Sequence, residues 1–239
     1  MSVTPYNNNQ AKKKQVEVMF DNIAPTYNFL NHTLSLGIDK SWRNKVVKLL
    51  QDSKPLNILD IAAGTGDLSF AMLKLKPKKI TGIDLSNKML EVGKTKAKKK
   101  KLEDKIEFTQ GDSENLNFET NSFDAVTCAF GVRNFENLDA GLSEMHRVLK
   151  NGAKVVILEF SQPKNKFISW SYNIYFKKIL PTIGNLISKD KRAYTYLPDS
   201  VSNFPYGDSF LKHLKKAGFK NTKSKIVTFG IASIYSGIK

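Results

Sequence analysis

Cysteine is almost absent from this 239-residue sequence, which contains only Cys128. A single cysteine excludes an internal disulfide and any zinc site built from cysteines. The three histidines, His32, His146 and His213, are not spaced as metal ligands, so we expect no metal centre. With 41% hydrophobic and 25% charged residues, the chain suits one large domain with its own buried core.

Long apolar runs are also lacking. No stretch approaches the roughly 18 consecutive apolar residues that a membrane-spanning helix needs. The first ten residues are mostly polar and do not contain the apolar segment of a secretory signal. We therefore expect a cytoplasmic protein.

Arginine is scarce, since only four of the 38 basic residues are arginine, although the formal net charge is +16. Proteins that bind nucleic acids or phosphates usually use arginine, because its planar guanidinium forms paired hydrogen bonds. The lysine excess more simply indicates a solvated surface, with attraction to an anionic membrane as the functional alternative. We expect no nucleic acid partner.

Strand and helix patterns alternate along the middle of the chain. Short apolar runs predict strands at 57–61, 79–84, 106–109, 123–129 and 153–160. Helical patterns are found at 67–75, 86–101, 138–149 and 207–217. This alternation predicts an α/β fold with a parallel sheet and right-handed crossovers. Two last strands are predicted at 219–227 and 231–238, the second of them an antiparallel edge.

The remaining segments flank or interrupt this core. Residues 1–14 are polar and predicted to be disordered, and 16–51 predict two or three short helices interrupted by Pro25 and Gly37. We divide the single domain into a helical extension (1–53), a cofactor-binding core (54–162), an aromatic and basic cap insertion (163–206) and a final helix with two strands (207–239).

A glycine-bearing loop, Asp60 to Asp67 (DIAAGTGD), follows the first strand. Its glycines Gly64 and Gly66, with Thr65 between them, let a ligand approach the backbone closely. The spacing is neither the dinucleotide G-x-G-x-x-G pattern nor a P-loop, which disfavours a nicotinamide-dependent oxidoreductase. Carboxylates at both ends of the loop suit a ligand that carries an ammonium and a sulfonium group.

Two further acidic turns follow the next two strands. Asp84, at the end of the second strand, is placed to accept both hydroxyls of a ribose. Asp112 and Ser113, after the third strand, can hydrogen-bond the edge of an adenine. Each carboxylate alone is as easily explained as a helix N-cap, but three acidic turns at successive strand ends predict a nucleoside site.

With these turns the chain resembles a class I methyltransferase that uses S-adenosylmethionine. It is similar in particular to the ubiquinone/menaquinone biosynthesis C-methyltransferases. The resemblance rests on residues 27–31 (YNFLN) with Leu34, Ser35 and Trp42, on 130–134 (FGVRN), and on 147–161 (RVLKNGAKVVILEFS). It implies S-adenosylmethionine as cofactor and a Rossmann-like, seven-stranded, mostly parallel sheet with an antiparallel final strand and helices on both faces.

The chain departs from the family pattern at several positions. Ala62 replaces the usual first glycine of the loop, and 151–153 (NGA) replaces Pro-Gly-Gly. Asn28 stands where the family usually has Asp, Leu30 where it has Met, and Asp39 where it has His. Because Asn28 has no carboxylate, we do not expect this position to supply a base.

The implied reaction is methyl transfer to a ring carbon of a prenylated demethyl-quinol, with demethylmenaquinol as the favoured substrate. Arg133 and Asn134 follow the fourth strand and are expected to point into the cleft, Arg133 stabilising a phenolate and Asn134 orienting a quinol oxygen. Tyr27 is a third candidate catalytic residue, as a hydrogen-bond donor or a lid. Ser161, Tyr194 and Tyr196 are candidate substrate contacts.

The aromatic and lysine-rich cap resembles an interfacial surface, which predicts peripheral docking at the inner face of an anionic membrane. An aromatic core is the alternative explanation of the same residues. For the oligomeric state, the sequence is compatible with a monomer and with a homodimer. Two alternative functions are also retained: an RNA methyltransferase with the same cofactor fold, and a non-catalytic cofactor-binding scaffold of a quinone-biosynthesis complex.

Overall fold

A seven-stranded sheet organises the computed structural model, which describes residues 3–6, 8–35, 37–174 and 190–239. The strands are β1 (Asn57–Ile61), β2 (Lys79–Asp84), β3 (Ile106–Gln110), β4 (Phe123–Ala129), β5 (Leu149–Phe160), β6 (Lys220–Val227) and β7 (Ala232–Ile238). Their spatial order is β3-β2-β1-β4-β5-β7-β6. The first five are parallel, and β7 is antiparallel to both β5 and β6. The predicted fold class is confirmed.

One strand assignment was wrong. The run that we predicted as an antiparallel edge is β7, which is antiparallel but hydrogen-bonds to β5 on one side and β6 on the other. The edge strand is β6, whose residues are mostly exposed and include Lys220, Lys223 and Lys225. Lysines protect an exposed edge against pairing with another chain.

Helices cover both faces of the sheet. In chain order they are α1 (Lys12–Leu34), α2 (Ile38–Leu50), α3 (Asp67–Met72), α4 (Asn87–Lys99), α5 (Leu138–Val148), α6 (Lys166–Ile174), α7 (Lys191–Asn203) and α8 (Asp208–Lys216). One buried layer joins Leu59 and Ile61 of β1 to α5 and α8. The opposite layer joins Ile58 to α2, α3 and α4. This alternation along β1 is what a strand buried on both faces requires.

The N-terminal segment is more ordered than its composition indicates. α1 begins at Lys12, whose buried ammonium donates to the carbonyls of Arg133 (3.2 Å) and Phe135 (2.8 Å). Pro25 lies inside α1 without ending it, although a proline there removes one helical hydrogen bond. The prediction of disorder was therefore wrong for residues 12–14, which begin α1, because Lys12 is buried against the turn that follows β4.

The cap is described in part. α6 and α7 belong to it, while residues 175–189 lie outside the described residues, including the predicted cap members Tyr175, Phe176, Lys177, Lys178 and Lys189. α1 and α7 form a third buried cluster with Tyr172 of α6. This cluster contains Val16, Met19, Ile23, Tyr172, Ala193, Tyr194 and Tyr196. The aromatic residues of α7 thus pack as a core, as the alternative explanation expected.

Candidate active site

The carboxyl ends of β1, β2, β3 and β4 meet at one cleft beneath α1. The strand order reverses at β1, between β2 and β4, and ligands of open α/β sheets bind at such a point. The described cleft has two adjoining parts that share Tyr27, Ala62, Gly64 and Ala129. One part extends to Asp84 and Ser113, and the other to Asp60, Thr65 and Asp67.

The loop after β1 has the backbone that a close ligand approach requires. Gly64 and Gly66 have φ of +55° and +84°, and a side chain on Gly66 would overlap the Phe108 ring. Ala62 also has a positive φ of +52°, which glycine adopts more readily than alanine. The substitution of the family glycine by Ala62 is therefore accommodated at the cost of local strain.

Asp60 lies buried beneath this loop. Its carboxylate accepts hydrogen bonds from Ser69 Oγ (2.6 Å) and Thr127 Oγ1 (2.9 Å). Burial raises the pKa of Asp60 to about 6, although these hydrogen bonds oppose the shift. Asp60 thus links the end of β1 to Ser69 of α3 and Thr127 of β4. It also lines the part of the cleft that contains Thr65 and Asp67.

Asp84 ties the first acidic turn to the second. It accepts hydrogen bonds from the backbone N–H of Gly64 and of Ser86, both at 2.9 Å. Burial raises the pKa of Asp84 to about 6, and the two backbone donors hold it lower than burial alone would. The carboxylate lines the cleft at the position expected for a ribose contact.

Asp112 and Ser113 lie at the far end of the cleft. Ser113 is among the lining residues, whereas Asp112 pairs with Lys13 of α1 at 2.6 Å and accepts the backbone N–H of Glu114 at 2.9 Å. The sequence placed both residues after β3 correctly. It did not predict that a lysine from the N-terminal segment would engage Asp112.

Helix α1 contacts all three acidic turns. Lys13 reaches Asp112 as described, Asp21 accepts from Ser86 Oγ at 2.6 Å, and Asn28 Oδ1 accepts from Thr65 Oγ1 at 2.6 Å. Residues 13, 21 and 28 are eight and seven positions apart, so they share one face of the helix. Together these three pairs, which we call the α1 contacts, place α1 along the length of the cleft.

Arg133, which we predicted to point into the cleft, is not among the described residues that line its two parts. Its Nη1 donates to Glu159 Oε1 at 2.8 Å and to the Phe130 carbonyl, and its guanidinium lies 5.5 Å from the centre of the Phe160 ring. The neighbouring strand β5 supplies Glu159, which holds the guanidinium in this position. Glu159 is fully buried, and burial raises its pKa.

The charge of Arg133 still acts on nearby tyrosines. Burial raises the pKa of Tyr172, and raises that of Tyr196 to about 12. For both phenols the positive charge of Arg133 opposes the rise more strongly than Glu159 adds to it. The positive charge of Arg133 therefore favours the ionised form of both phenols, against the larger effect of burial.

Asn134 and Tyr27 lie where the sequence predicted. Asn134 lines the cleft, and its Oδ1 accepts from the Tyr196 hydroxyl at 3.2 Å. Tyr27 lines both parts of the cleft. Burial raises the pKa of Tyr27, while the charges of Arg43 and Arg133 lower it.

None of the three substrate candidates is among the described residues that line the two parts of the cleft. The Ser161 hydroxyl donates to the Gly230 carbonyl at 2.7 Å and accepts from Ser233 Oγ at 3.0 Å, which ties β5 to the start of β7. Tyr194 is buried in the cluster between α1 and α7. The positions of Ser161 and Tyr194 thus give no support to a substrate contact, and their roles stay predictions.

An ion-pair network borders the Asp60 part of the cleft. Asp39 pairs with Arg43 and lies 2.9 Å from His32 Nδ1, while Asp67 pairs with Lys96 at 2.9 Å. His32, Asp39 and Asp67 each place one potential metal-ligand atom within 4.8 Å of the others. Because Arg43 and Lys96 already neutralise these carboxylates, we interpret the group as an ion-pair network.

Fold and site together define a class I methyltransferase architecture. A methyltransferase from Thermotoga maritima described as SAM-dependent superposes with a TM-score of 0.63 at 18% identity, covering 93% of this chain and 99% of that one. Phosphoethanolamine N-methyltransferase 2 of Haemonchus contortus, solved with S-adenosyl-L-methionine, has a TM-score of 0.59 at 18% identity, covering 82% and 52%. These similarities establish the fold.

Closer relatives establish the family. The model of the ubiE/COQ5 methyltransferase family matches residues 8–239. A demethylmenaquinone methyltransferase of Bacteroides fragilis is 47% identical, over 99% of this chain and 97% of the relative. The ubiquinone/menaquinone biosynthesis C-methyltransferase UbiE of Geotalea daltonii is 46% identical, over 95% and 97%. The chain belongs to the ubiE/COQ5 methyltransferase family, which confirms the resemblance drawn from its motifs.

Proposed function

We propose that the protein transfers the methyl group of S-adenosylmethionine to a ring carbon of demethylmenaquinol, giving menaquinol. The observation that carries this proposal is the alignment of the acidic glycine loop and the two acidic turns after β2 and β3 along one cleft. Full-length relatives at 40–47% identity named demethylmenaquinone methyltransferase support the substrate. Menaquinol formation is favoured over ubiquinol formation because these relatives carry the menaquinone name.

The cleft suits S-adenosylmethionine. Asp84 is the acceptor for the ribose hydroxyls, and Asp112 with Ser113 recognises the adenine edge. Asp60, Gly64, Thr65 and Gly66 face the amino acid part. The cofactor, when bound, supplies a methyl group on a positively charged sulfur, and carboxylates at a cleft attract such a cation. Asp84 is already held by two backbone donors, so little reorganisation is needed on binding.

Tyr27, Asn134 and Tyr196 form the proposed quinol site. Asn134 Oδ1 accepts from the Tyr196 hydroxyl and its Nδ2 donates to the Phe130 carbonyl at 3.4 Å, which fixes the amide. The second N–H of Nδ2 is then available to orient a quinol oxygen. A ring carbon becomes more nucleophilic as the phenol loses its proton. The positive charge of Arg133, which lowers the pKa of Tyr196 against the effect of burial, also stabilises that anion. Arg133 acts in this proposal at a distance, since its guanidinium is held by Glu159.

We also propose peripheral docking of α6 on an anionic membrane surface. Phe167 and Trp170 are 75% and 62% exposed, and their ring centres lie 6.2 Å apart. Lys164 precedes them and is exposed as well. Exposed aromatics with adjacent lysines suit the interface of a bilayer, where a polyprenyl substrate is dissolved. Within the described part of the chain, none of the helices is both long and apolar enough to cross a membrane.

The test of the proposed reaction is transfer of labelled methyl from S-adenosylmethionine in detergent. Chemically reduced demethylmenaquinone is the expected acceptor, while the oxidised quinone should receive no label because it lacks the nucleophilic phenolate. A demethoxylated benzoquinol tests the ubiquinone branch, and bulk transfer RNA tests the RNA alternative. Label in RNA with none in either quinol would overturn the proposal. Cofactor binding without any transfer would favour a scaffold.

A further inference from the structure

Arg43 is a buried cation at the amino acid end of the cleft. Its Nη1 pairs with Asp39, and its guanidinium carbon lies 5.8 Å from the centre of the Phe130 ring. It lines the cleft together with Asp60, Thr65 and Asp67. Among the described residues that line this part of the cleft, Arg43 is the sole cation. The quinol site proposed above does not use it.

The guanidinium retains donors that the described ion pairs do not saturate. Its Nη2 is 3.8 Å from Asp67 Oδ2, which is too far for a hydrogen bond. Asp67 Oδ2 is itself buried and accepts no hydrogen bond from the described residues, although His32 Nε2 lies 3.3 Å away. Arg43 Nη2 and Asp67 Oδ2 thus lie side by side without a hydrogen bond between them, although Lys96 balances the charge of Asp67 through its other oxygen. This pair of a donor and an acceptor matches the carboxylate and ammonium of an α-amino acid.

We propose that Arg43 binds the α-carboxylate of the methionine part of S-adenosylmethionine, with Asp67 accepting its α-ammonium. This inference rests on the proposed use of S-adenosylmethionine as methyl donor. Arginine suits the role because its planar fork can bind a carboxylate through two parallel hydrogen bonds. Asp39 holds the side chain in position for this contact, so Arg43 selects ligands that carry an intact amino acid.

The alternative is a purely structural Arg43 that neutralises Asp39 and Asp67. Lys96 provides a matched comparison, because it also pairs with Asp67 but is not among the residues lining this end of the cleft. Arg43→Gln alone would leave the buried Asp39 without its strongest partner. The paired substitution Asp39→Asn/Arg43→Gln removes both charges together and keeps the test independent of that destabilisation.

The experiment is calorimetric binding of two ligands to the full chain. One is S-adenosylhomocysteine, and the other is its decarboxylated analogue, which keeps the amine and the nucleoside. We expect the wild-type chain and Lys96→Gln to bind S-adenosylhomocysteine roughly ten- to a hundredfold more tightly than the analogue. In Arg43→Gln and in the paired variant this preference should fall close to one.

Two results would overturn the inference while leaving the proposed function intact. The first is a wild-type chain that binds both ligands equally, which needs no variant at all. The second is a folded paired variant that keeps the wild-type preference. By contrast, failure of the wild-type chain to bind S-adenosylhomocysteine would contradict the proposed cofactor itself and the inference with it.

Discussion

At the scale of single residues, Asp84 is central to the cleft because it accepts two backbone N–H groups and lines the cleft. We expect Asp84→Asn to weaken S-adenosylhomocysteine binding roughly ten- to a hundredfold, since an amide cannot accept at both of its polar atoms. Isothermal titration calorimetry measures the change.

Asp124 is the matched control for that substitution. Its carboxylate also accepts two backbone N–H groups, those of Leu56 and Asn57, at the opposite end of the sheet. Asp124→Asn should lower the free energy of unfolding but leave ligand affinity near the wild-type value. Equal losses of affinity in both variants would show that Asp84 acts only through stability.

The pH dependence of binding follows from the same carboxylates. Burial raises the pKa of Asp60 and of Asp84 to about 6 in the folded chain, so both become protonated as the pH falls through that value. A cationic ligand favours the ionised form, so the affinity for S-adenosylmethionine should fall between pH 7 and pH 5. Titrations across this range should show a shallower fall for Asp84→Asn.

The effect of these two groups on stability has the opposite sign. Because their folded pKa lies above the ordinary value of 3.8, the folded state binds more protons than the unfolded state between about pH 4 and 6. Their contribution to the free energy of unfolding therefore increases as the pH falls through this window. The free energy of unfolding of the wild-type chain and of Asp84→Asn should be measured at about pH 4 and at about pH 6. The difference between the two proteins in this pH dependence isolates the contribution of Asp84.

The acidic turns were predictable at this scale, but the direction of Arg133 was not. Asp60, Asp84 and Asp112 each follow a strand, and the carboxyl ends of parallel strands meet at one edge. Arg133 also follows a strand, yet Glu159 from β5 binds its guanidinium. Which of several neighbours captures a flexible cation depends on tertiary packing that sequence spacing does not describe.

At the scale of secondary structure elements, α1 connects the three acidic turns through the α1 contacts. We expect Lys13→Ala to speed dissociation of S-adenosylhomocysteine several-fold, because it releases one end of the helix from Asp112. Stopped-flow measurement of the dissociation rate tests this expectation.

Lys14→Ala is the control for the helix, since Lys14 is adjacent but pairs with Glu17 within α1. Its dissociation rate should match that of the wild-type chain. Identical rates in Lys13→Ala and Lys14→Ala would indicate that α1 does not restrain the ligand.

The sequence did not predict α1 as one continuous helix. Its polar start resembles a disordered segment, and Pro25 resembles a helix break. Contacts such as Lys13 with Asp112 join residues 99 positions apart, and only the folded sheet brings them together. By contrast, the strands of the sheet were predictable, because their apolar runs are buried on both faces.

At the scale of the whole molecule, the lysine-rich charge and the exposed aromatics of α6 support peripheral membrane docking. We expect the double substitution Phe167→Ser/Trp170→Ser to reduce co-sedimentation with phosphatidylglycerol vesicles severalfold, because two exposed rings lose their burial in the interface. Binding to neutral phosphatidylcholine vesicles should be weaker for both proteins.

Leu56→Ser is the control for the docking surface. Leu56 is 56% exposed but precedes β1, at the end of the sheet opposite the cleft. Its substitution should leave vesicle binding unchanged. An equal loss in both variants, or no loss in the α6 variant, would contradict docking through α6. Analytical ultracentrifugation of the same samples without vesicles distinguishes a monomer from a homodimer.

The proposed function requires that the cleft under α1 transfer a methyl group to a quinol carbon. The most direct measurement is a single-turnover reaction with labelled S-adenosylmethionine and reduced demethylmenaquinone, followed by chemical identification of the product. We expect label on the ring carbon, a slower reaction in Asp84→Asn at low cofactor concentration, and recovery towards the wild-type rate at high concentration. Label on a quinol oxygen, or none in the quinol, would contradict it.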